Sequence, residues 1–235
     1  MSERYEMDSE RVAWCAGYPR SGTSLVRLVL ANCFGQVTGS CYDETDLTSG
    51  FREAMRSVPV GATESDVRAI SEAQGVLFWK THAVLDYDWD VPAIVVIRDG
   101  RRVLDSLRHF YADYGICGAG MVSLIKGNHM WGSWSEWVRS WEVFGGSDAL
   151  WLRYEDIVAD IPGTVGRIGS AFGLSPIADS IPAFDSLRLA EPRIWRAGVT
   201  QGNGGMTAAE EEMFWALHGD VMARHGYYRE EATRA

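Results

Sequence analysis

Short apolar runs alternate along this chain with longer segments in which apolar residues recur every third or fourth position. The short runs predict buried strands of a parallel sheet, because strands that helices cover on both faces lack polar alternation. The longer segments predict amphipathic helices. This alternation predicts an α/β fold, a doubly wound parallel sheet that forms a single domain over residues 1–235. The predicted strands are residues 12–17, 76–79, 93–97 and 149–152.

Capping residues in the sequence predict where several helices begin and end. Gly35 is the expected C-cap of the first helix, and the sequences Ser-x-x-Glu at 133 and Thr-x-x-Glu at 207 are capping boxes that open two later helices. Segments 115–132 and 176–206 are rich in glycine or proline and have no periodic apolar face, so we expect loops there. The predicted helices with bounds are residues 24–34, 50–57, 64–73 and 207 to about 225, and another begins at 133. A helix after the third strand has Asp99 as its expected N-cap and carries Val103, Leu107, Phe110 and Tyr114, and a later helix carries Ile161, Val165, Ile168 and Phe172.

Composition and charge narrow the class of protein. The chain has 235 residues, of which 46% are hydrophobic and 23% are charged, as in an ordinary globular enzyme. Its formal net charge of −10 argues against nucleic acid or a polyanionic glycan as a partner, since an acidic surface attracts neither. The ten tryptophans suit either an apolar binding pocket or the core.

The expected location follows from the cysteines and from the N-terminal segment. Cys15, Cys33, Cys41 and Cys117 have no C-x-x-C spacing, and we expect free thiols in a reducing compartment. The first residues are charged and do not form a signal peptide, and no apolar run nears the length of a membrane span. We therefore expect a cytoplasmic protein that has no membrane partner.

The most informative segment is residues 18–24, Tyr-Pro-Arg-Ser-Gly-Thr-Ser, between the first strand and the first helix. A turn that opens a helix presents backbone N–H groups and the positive end of the helix dipole to an anion. Arg20 adds a cation. Gly17 and Gly22 keep the glycine spacing of a P-loop, but Thr23 stands where a nucleotide-hydrolysing loop has lysine. The segment predicts a phosphate-like ligand and argues against a P-loop kinase.

This heptapeptide resembles the 5′-phosphosulfate loop of sulfotransferases that use 3′-phosphoadenosine-5′-phosphosulfate (PAPS), whose pattern is Y-P-[KR]-S-G-T-[ST]. The resemblance implies that the loop binds the phosphosulfate group of PAPS. The residues that it implies as ligands are Arg20, Ser21, Gly22, Thr23 and Ser24.

A Lys-Thr-His sequence, residues 80–82, follows the second predicted strand. Alternate residues of an extended chain point to the same side, so Lys80 and His82 leave the strand's carboxyl end together, where doubly wound sheets bind ligands. A histidine with an ordinary pKa of about 6.5 suits proton removal from a hydroxyl group, and Lys80 with Arg20 suits charge on a departing phosphate. The sequence also resembles the K-T-H of cytosolic sulfotransferases, which implies His82 as the catalytic base.

A cluster of cations opens the helix after the third predicted strand. Residues 98–106 resemble the R-[DN]-x-x-[DE]-x-x-x-S pattern that holds the 3′-phosphate of PAPS in this family, and the match implies Arg98 and Ser106 as ligands. Arg102 occupies the acidic position of that pattern. A bound anion explains why arginines stand at the positive end of a helix.

Residues 195–198, Trp-Arg-Ala-Gly, resemble the family's F-R-K-G sequence. The resemblance implies Arg196 and Gly198 as further ligands of the 3′-phosphate, with Arg193 as the alternative to Arg196. It also extends to an Arg-Tyr-Glu-Asp sequence, which implies that Tyr154 contacts the adenine. In many members an aromatic residue stacks on the adenine just after the phosphosulfate loop. That position is Leu25 here, so the adenine is expected to stack on another residue.

Together these matches imply a sulfotransferase that moves a sulfuryl group from PAPS to a hydroxyl of a small-molecule acceptor and releases adenosine 3′,5′-bisphosphate. We expect no metal, because no cluster of histidine, cysteine and carboxylate residues has ligand spacing. The alternatives are a P-loop small-molecule kinase and a non-enzymatic nucleotide-binding protein. Segments 36–74 and 115–132 are expected to build the acceptor pocket, while the acceptor and the oligomeric state stay open.

Overall fold

A computed structural model of the chain describes residues 12–59, 61–85, 92–116, 120–144, 149–195 and 204–229. It contains a five-stranded sheet with the order β2-β3-β1-β4-β5, and all of its strands are parallel. The strands are β1 (Val12–Gly17), β2 (Thr38–Ser40), β3 (Leu77–Thr81), β4 (Ala93–Ile97) and β5 (Ala149–Arg153). The doubly wound parallel sheet predicted from the apolar runs is confirmed.

The edge of the sheet beside β3 differs from the prediction. The sequence does not predict β2, because its three residues, Thr-Gly-Ser, form no apolar run. β3 also runs to Thr81, two residues beyond its predicted end at Trp79. Lys80 stays in the strand because it pairs with Cys15 of β1 on one side and Ser40 of β2 on the other. This pairing carries β3 up to the residue before His82.

Helices pack on both faces of the sheet, and their boundaries follow the predicted caps. Gly35 ends the first helix with a left-handed φ of 69°. The predicted capping box at Thr207 is present, since its side chain accepts from the Glu210 backbone and the Glu210 carboxylate accepts from Thr207. The helices are α1 (Thr23–Phe34), α2 (Ser49–Ala54), α3 (Glu64–Gln74), α4 (Gly100–Asp113), α5 (Met121–Ile125), α6 (Trp134–Phe144), α7 (Tyr154–Ala159), α8 (Ile161–Phe172), α9 (Phe184–Ala190) and α10 (Ala208–Arg224).

The loops predicted at 115–132 and 176–206 each contain a short helix. α5 has five residues and α9 has seven, too few for a periodic apolar pattern to stand out. Burial shows why they form. Met121, Leu124 and Ile125 of α5 are buried, as is Leu187 of α9, so each helix covers part of the core. The prediction of uninterrupted loops was therefore wrong in both segments.

The core consists of one apolar cluster on each face of the sheet. On one face, Trp134, Trp137 and Trp141 of α6 are almost completely buried against β4, α4 and α10. On the other face, α1 packs with α8 and with Phe51 of α2. These three tryptophans belong to the core and not to a binding pocket.

Candidate active site

A cleft of about 1250 Å³ lies where the segments after β1, β3, β4 and β5 meet. This position agrees with the rule that doubly wound sheets bind ligands at the carboxyl ends of their strands. The cleft brings together nearly all described residues that the sequence motifs predicted. They are Arg20, Gly22, Thr23, Ser24, Lys80, His82, Arg98, Ser106 and Tyr154.

The turn after β1 has the backbone conformation of an anion-binding loop. Arg20 and Gly22 both have left-handed backbone angles, with φ of 73° and 112°, and α1 begins at Thr23. The first N–H groups of a helix have no intrahelical acceptor and are available to an anion. The Ser21 side chain is buried, and its Oγ has no hydrogen-bond partner among the described residues. A buried polar atom beside a row of amide donors fits a site that a phosphate completes.

Contact with Tyr154 of α7 requires glycine at position 22. A Cβ atom on Gly22 would lie 2.5 Å from Cδ2 of Tyr154, and the positive φ would be strained for any residue with a side chain. The Arg98 guanidinium also lies over the ring of Tyr154, with Cζ 4.4 Å from the ring centroid. Tyr154 therefore packs this turn, residues 18–24 and called the phosphate loop below, against the residue that follows β4.

The Arg20 side chain joins the loop to two other segments of the cleft. Its Nε donates to Ser106 Oγ of α4 at 3.0 Å. One terminal nitrogen donates to the carbonyl oxygens of Arg193 and Ile194, at 3.3 and 3.1 Å. The guanidinium also lies 5.3 Å from the centroid of the Phe110 ring. Arg20 thus contacts the segment that precedes the predicted ligand Arg196.

The hydrogen bonds of His82 define its neutral tautomer. Nδ1 lies 2.5 Å from the carbonyl oxygen of Gly17. A carbonyl only accepts, so Nδ1 carries the proton and the lone pair is on Nε2. The ring stacks on Tyr42 with centroids 5.0 Å apart and meets Trp131 edge-on at 5.7 Å. Two aromatic rings and one hydrogen bond therefore hold the imidazole in one orientation.

His82 is neutral at physiological pH. Burial lowers its pKa to about 3, and the positive charge of Lys80 acts in the same direction. The bond to Gly17 favours the protonated ring and opposes this shift without overcoming it. The neutral ring with a free Nε2 is the form that can take a proton.

Lys80 belongs to a buried row of three charged residues. Arg27 of α1 is fully buried, and it donates to both carboxylate oxygens of Glu44 at 2.5 and 3.0 Å. Arg27 also donates to Thr38 Oγ1 at 2.8 Å and to Ser57 Oγ at 2.9 Å. Glu44 Oε1 lies 3.3 Å from Lys80 Nζ. Two cations and one carboxylate leave one net positive charge at this place in the cleft.

The protonation states of Glu44 and Lys80 depend on the ion pairs that join Arg27, Glu44 and Lys80. Burial alone would raise the pKa of Glu44, but Arg27 and Lys80 hold it below its ordinary value. Burial lowers the pKa of Lys80, and the Glu44 carboxylate opposes that change. Glu44 therefore helps to keep the Lys80 ammonium charged.

The three arginines near the start of α4 have different surroundings. Arg101 is buried, and its guanidinium donates to both carboxylate oxygens of Asp99 at 3.1 and 2.8 Å. Arg98 and Arg102 line the cleft. The Nε atom of each is buried and has no hydrogen-bond partner within the described ranges. Arg101 thus has a structural partner, whereas Arg98 and Arg102 present charge to the cleft.

Several residues of the cleft were not predicted from motifs. Tyr42 and Glu44 lie in segment 36–74, and Trp131 lies in segment 115–132, the two segments expected to build the acceptor pocket. Phe110 and Tyr114 continue the apolar stripe of α4 that predicts a core face, yet both line the cleft. The periodicity of apolar residues in the sequence does not distinguish residues that line a cleft from residues in the core.

Two predicted ligands, Arg196 and Gly198, lie outside the described residues. Their alternative, Arg193, is described and contacts other groups. Its Nε lies 3.1 Å from Glu191 Oε1, and a terminal nitrogen donates to the carbonyl oxygen of Asp46 at 2.7 Å. Arg193 therefore joins its segment to the loop that follows β2.

Comparison with known proteins identifies the class. The model of the sulfotransferase domain family matches residues 10–183, which are 174 of the 235 residues. The chain therefore belongs to the sulfotransferase family and is a transferase. A search of curated protein sequences finds no match.

Two solved structures are similar to this chain over most of their length. Mouse sulfotransferase SULT7A1 complexed with PAP is 18% identical, with 93% of this chain and 85% of that chain covered and a TM-score of 0.65. A sulfotransferase from Alicyclobacillus acidocaldarius is 15% identical, with 90% and 92% covered and a TM-score of 0.54. Both confirm the fold. Within the part of the chain that the structure describes, no helix is long and apolar enough to cross a membrane.

Proposed function

We propose that this enzyme transfers the sulfuryl group of PAPS to a hydroxyl group of a small-molecule acceptor and releases adenosine 3′,5′-bisphosphate. The observation that carries this proposal is the bond between His82 and Gly17, the residue directly before the phosphate loop. It fixes a candidate base beside the donors for a phosphosulfate. The similar mouse enzyme is complexed with PAP, which supports the same donor.

The described residues fit the anionic groups of this donor. The phosphate loop offers amide donors, hydroxyl groups and Arg20 to the 5′-phosphosulfate. Arg98 and Ser106 are suited to the 3′-phosphate, because both line the same cleft and the buried Nε of Arg98 lacks a partner among the described atoms. We assign Ser21, Gly22, Thr23 and Ser24 to the first group, and Arg196 and Gly198, on sequence alone, to the second.

Phe184 is the aromatic residue that we assign to the adenine. It lines the cleft together with Leu25 and Tyr154, and the residue is 38% exposed. Its ring packs edge-on against the ring of Trp195 with centroids 5.6 Å apart, and this contact fixes its position. An exposed aromatic ring in a cleft can stack on any nucleobase, because every nucleobase has a π-face.

Each catalytic residue has a role that follows from its surroundings. When bound, PAPS supplies the sulfuryl group and a phosphate that leaves. Nε2 of His82 takes the proton of the acceptor hydroxyl. Lys80, Arg20 and the loop amides stabilise the negative charge that develops on the leaving phosphate.

The rings near His82 indicate the character of the acceptor. Tyr42 and Trp131 contact His82. Phe110 and Tyr114 line the same cleft and pack together with their rings tilted by 35° and their centroids 4.4 Å apart. Aromatic walls bury flat apolar surfaces well and suit a phenol or an alcohol attached to a ring.

The test is incubation with PAPS and a panel of phenols, sugars and hydroxylated natural products. We expect a product heavier by the mass of SO₃ and one adenosine 3′,5′-bisphosphate for each product. ATP in place of PAPS serves as the control for a kinase, which would release ADP. Product formation with ATP, or none with PAPS across a panel to which the enzyme binds, would reject the proposal.

A further inference from the structure

Arg102 lies between the two proposed ligands of the 3′-phosphate. Arg102 and Ser106 are four residues apart on α4, so they lie on one face of the helix, one turn above another. Arg98 directly precedes Asp99, the N-cap of that helix. All three line the cleft. We propose that Arg102 is an additional ligand of the donor's 3′-phosphate and helps the enzyme to distinguish nucleotides that carry this group. The inference rests on the proposed PAPS-dependent function.

The neighbours of Arg102 leave its guanidinium available. Its Nε lies 3.8 Å from Oδ2 of Asp99, which is longer than a hydrogen bond. Both oxygens of Asp99 already accept from the Arg101 guanidinium, at 3.1 and 2.8 Å. Among the described atoms, the buried Nε of Arg102 has no partner. Buried donors are normally satisfied by protein, water or ligand, so this atom indicates an incomplete site.

The charge of the expected ligand requires more than one cation. A phosphate monoester carries about −1.5 to −2 charges at pH 7. Among the described residues assigned to this group, Arg98 supplies one positive charge, and Ser106 supplies none. Arg102 adds a positive charge beside them, and a guanidinium can hold two phosphate oxygens at once. Together with Arg98, it provides a doubly charged site on the described side of the cleft, to which Arg196 is a further candidate.

Arg108 provides a matched control on the same helix. It also lines the cleft, but one of its terminal nitrogens lies 2.7 Å from Oδ1 of Asp105. The Nε of Arg108 is also buried without a partner among the described atoms, so the two arginines differ in their carboxylate contact. Arg108 has a direct ion pair at 2.7 Å, whereas the nearest described carboxylate oxygen to Arg102 is 3.8 Å away. Loss of Arg108 therefore removes an arginine whose charge is already engaged by a carboxylate.

The experiment is isothermal titration calorimetry with adenosine 3′,5′-bisphosphate and with adenosine 5′-monophosphate, which lacks the 3′-phosphate. Arg102→Ala should raise the Kd of the bisphosphate about 10–150-fold, as expected for a charge-assisted hydrogen bond. It should leave the Kd of the monophosphate within about twofold. Arg108→Ala should change neither Kd by more than about twofold, and Arg102→Lys should lose less affinity than Arg102→Ala because it keeps the charge.

The outcomes separate this inference from the function on which it rests. Equal losses for both nucleotides, or none for the bisphosphate, would overturn the role of Arg102. If Arg98→Ala abolishes the preference for the bisphosphate while Arg102→Ala preserves it, the donor assignment stands and Arg102 alone is wrong. A wild-type protein that binds both nucleotides equally would overturn the donor assignment and the inference together. Thermal melting of each variant without nucleotide shows that it is folded.

Discussion

Nδ1 of His82 donates to the carbonyl oxygen of Gly17 across 2.5 Å, which joins the candidate base to the last residue of β1. The strands that carry the two residues are neighbours in the sheet, and Ala16 pairs with Thr81. The strand that leads into the phosphate loop therefore also orients the base. The distance between His82 and the phosphate loop is therefore set by the parallel pairing of β1 and β3, and not by a loop.

The first prediction concerns the base. His82→Ala should lower kcat by about 10²–10⁴, because proton removal from the acceptor loses its catalyst. The affinity for adenosine 3′,5′-bisphosphate should change little, since His82 is not a proposed ligand. His109 lines the same cleft and bonds to Asp105 of its own helix, so His109→Ala is the matched control. Near-normal steady-state turnover of His82→Ala would exclude His82 from the mechanism.

The second prediction concerns the protonation of His82 and uses NMR of ¹⁵N-labelled protein. In the free enzyme, His82 should show the Nδ1–H tautomer and no titration between pH 8 and pH 5, because burial lowers its pKa to about 3. Adenosine 3′,5′-bisphosphate should raise this pKa, since a nearby negative charge stabilises the imidazolium. A ring that titrates near pH 6.5 without ligand would contradict the geometry described above.

The third prediction concerns Glu44 as the partner of Lys80. Glu44→Gln removes the charge that keeps the Lys80 pKa from falling further, so the alkaline loss of kcat/KM should move to lower pH. Each unit of displacement corresponds to about a tenfold lower activity on the alkaline limb. Lys80→Arg in the same background should remove that limb, because arginine stays protonated. An alkaline limb at the same pH in wild type and Glu44→Gln would argue against this pairing.

The fourth prediction concerns stability at low pH. His218 of α10 is buried, and its Nε2 donates to the carbonyl oxygen of Ile125 at 2.9 Å while Nδ1 accepts from Ser135. Burial lowers its pKa to about 4. Between that value and 6.5 the unfolded chain binds more protons than the folded chain, so stability decreases as the pH falls.

Urea denaturation at pH 7 and pH 5 measures this effect. His218 should account for about 1–2 kcal/mol of the decrease in the free energy of unfolding between the two values. The variant His218→Gln cannot titrate, and the difference between pH 7 and pH 5 should shrink by that amount, whatever its absolute stability. An unchanged difference would show that folding does not lower the pKa of His218.

The sequence predicts the parts of the site that lie in continuous segments. The phosphate loop, the pair Lys80 and His82, and the start of α4 follow strands with clear apolar runs, so their place at one edge of the sheet follows from the fold class. The row that supports Lys80 could not be predicted in this way. Arg27 is the one charged residue of α1, a largely apolar helix, and its link to Glu44 depends on how the loop after β2 folds back.

The aromatic residues show a second limit of sequence reasoning. Trp131 lines the cleft, whereas Trp134 and Trp137 belong to the core, although all three lie within one short stretch. Their separation depends on where α6 begins, and an error of a few residues in a helix boundary reverses the assignment. Tertiary packing, and not residue type, decides which ring contacts His82.

The positive charge left over in the row of Arg27, Glu44 and Lys80 lies within a protein whose formal net charge is −10. At physiological ionic strength charges are screened beyond about 8 Å, and a buried row is screened less than charges in open solvent. The net charge of the protein therefore exerts no long-range attraction on an approaching polyanion. Recognition of the donor is a short-range event, decided by local charge after the nucleotide has entered the cleft.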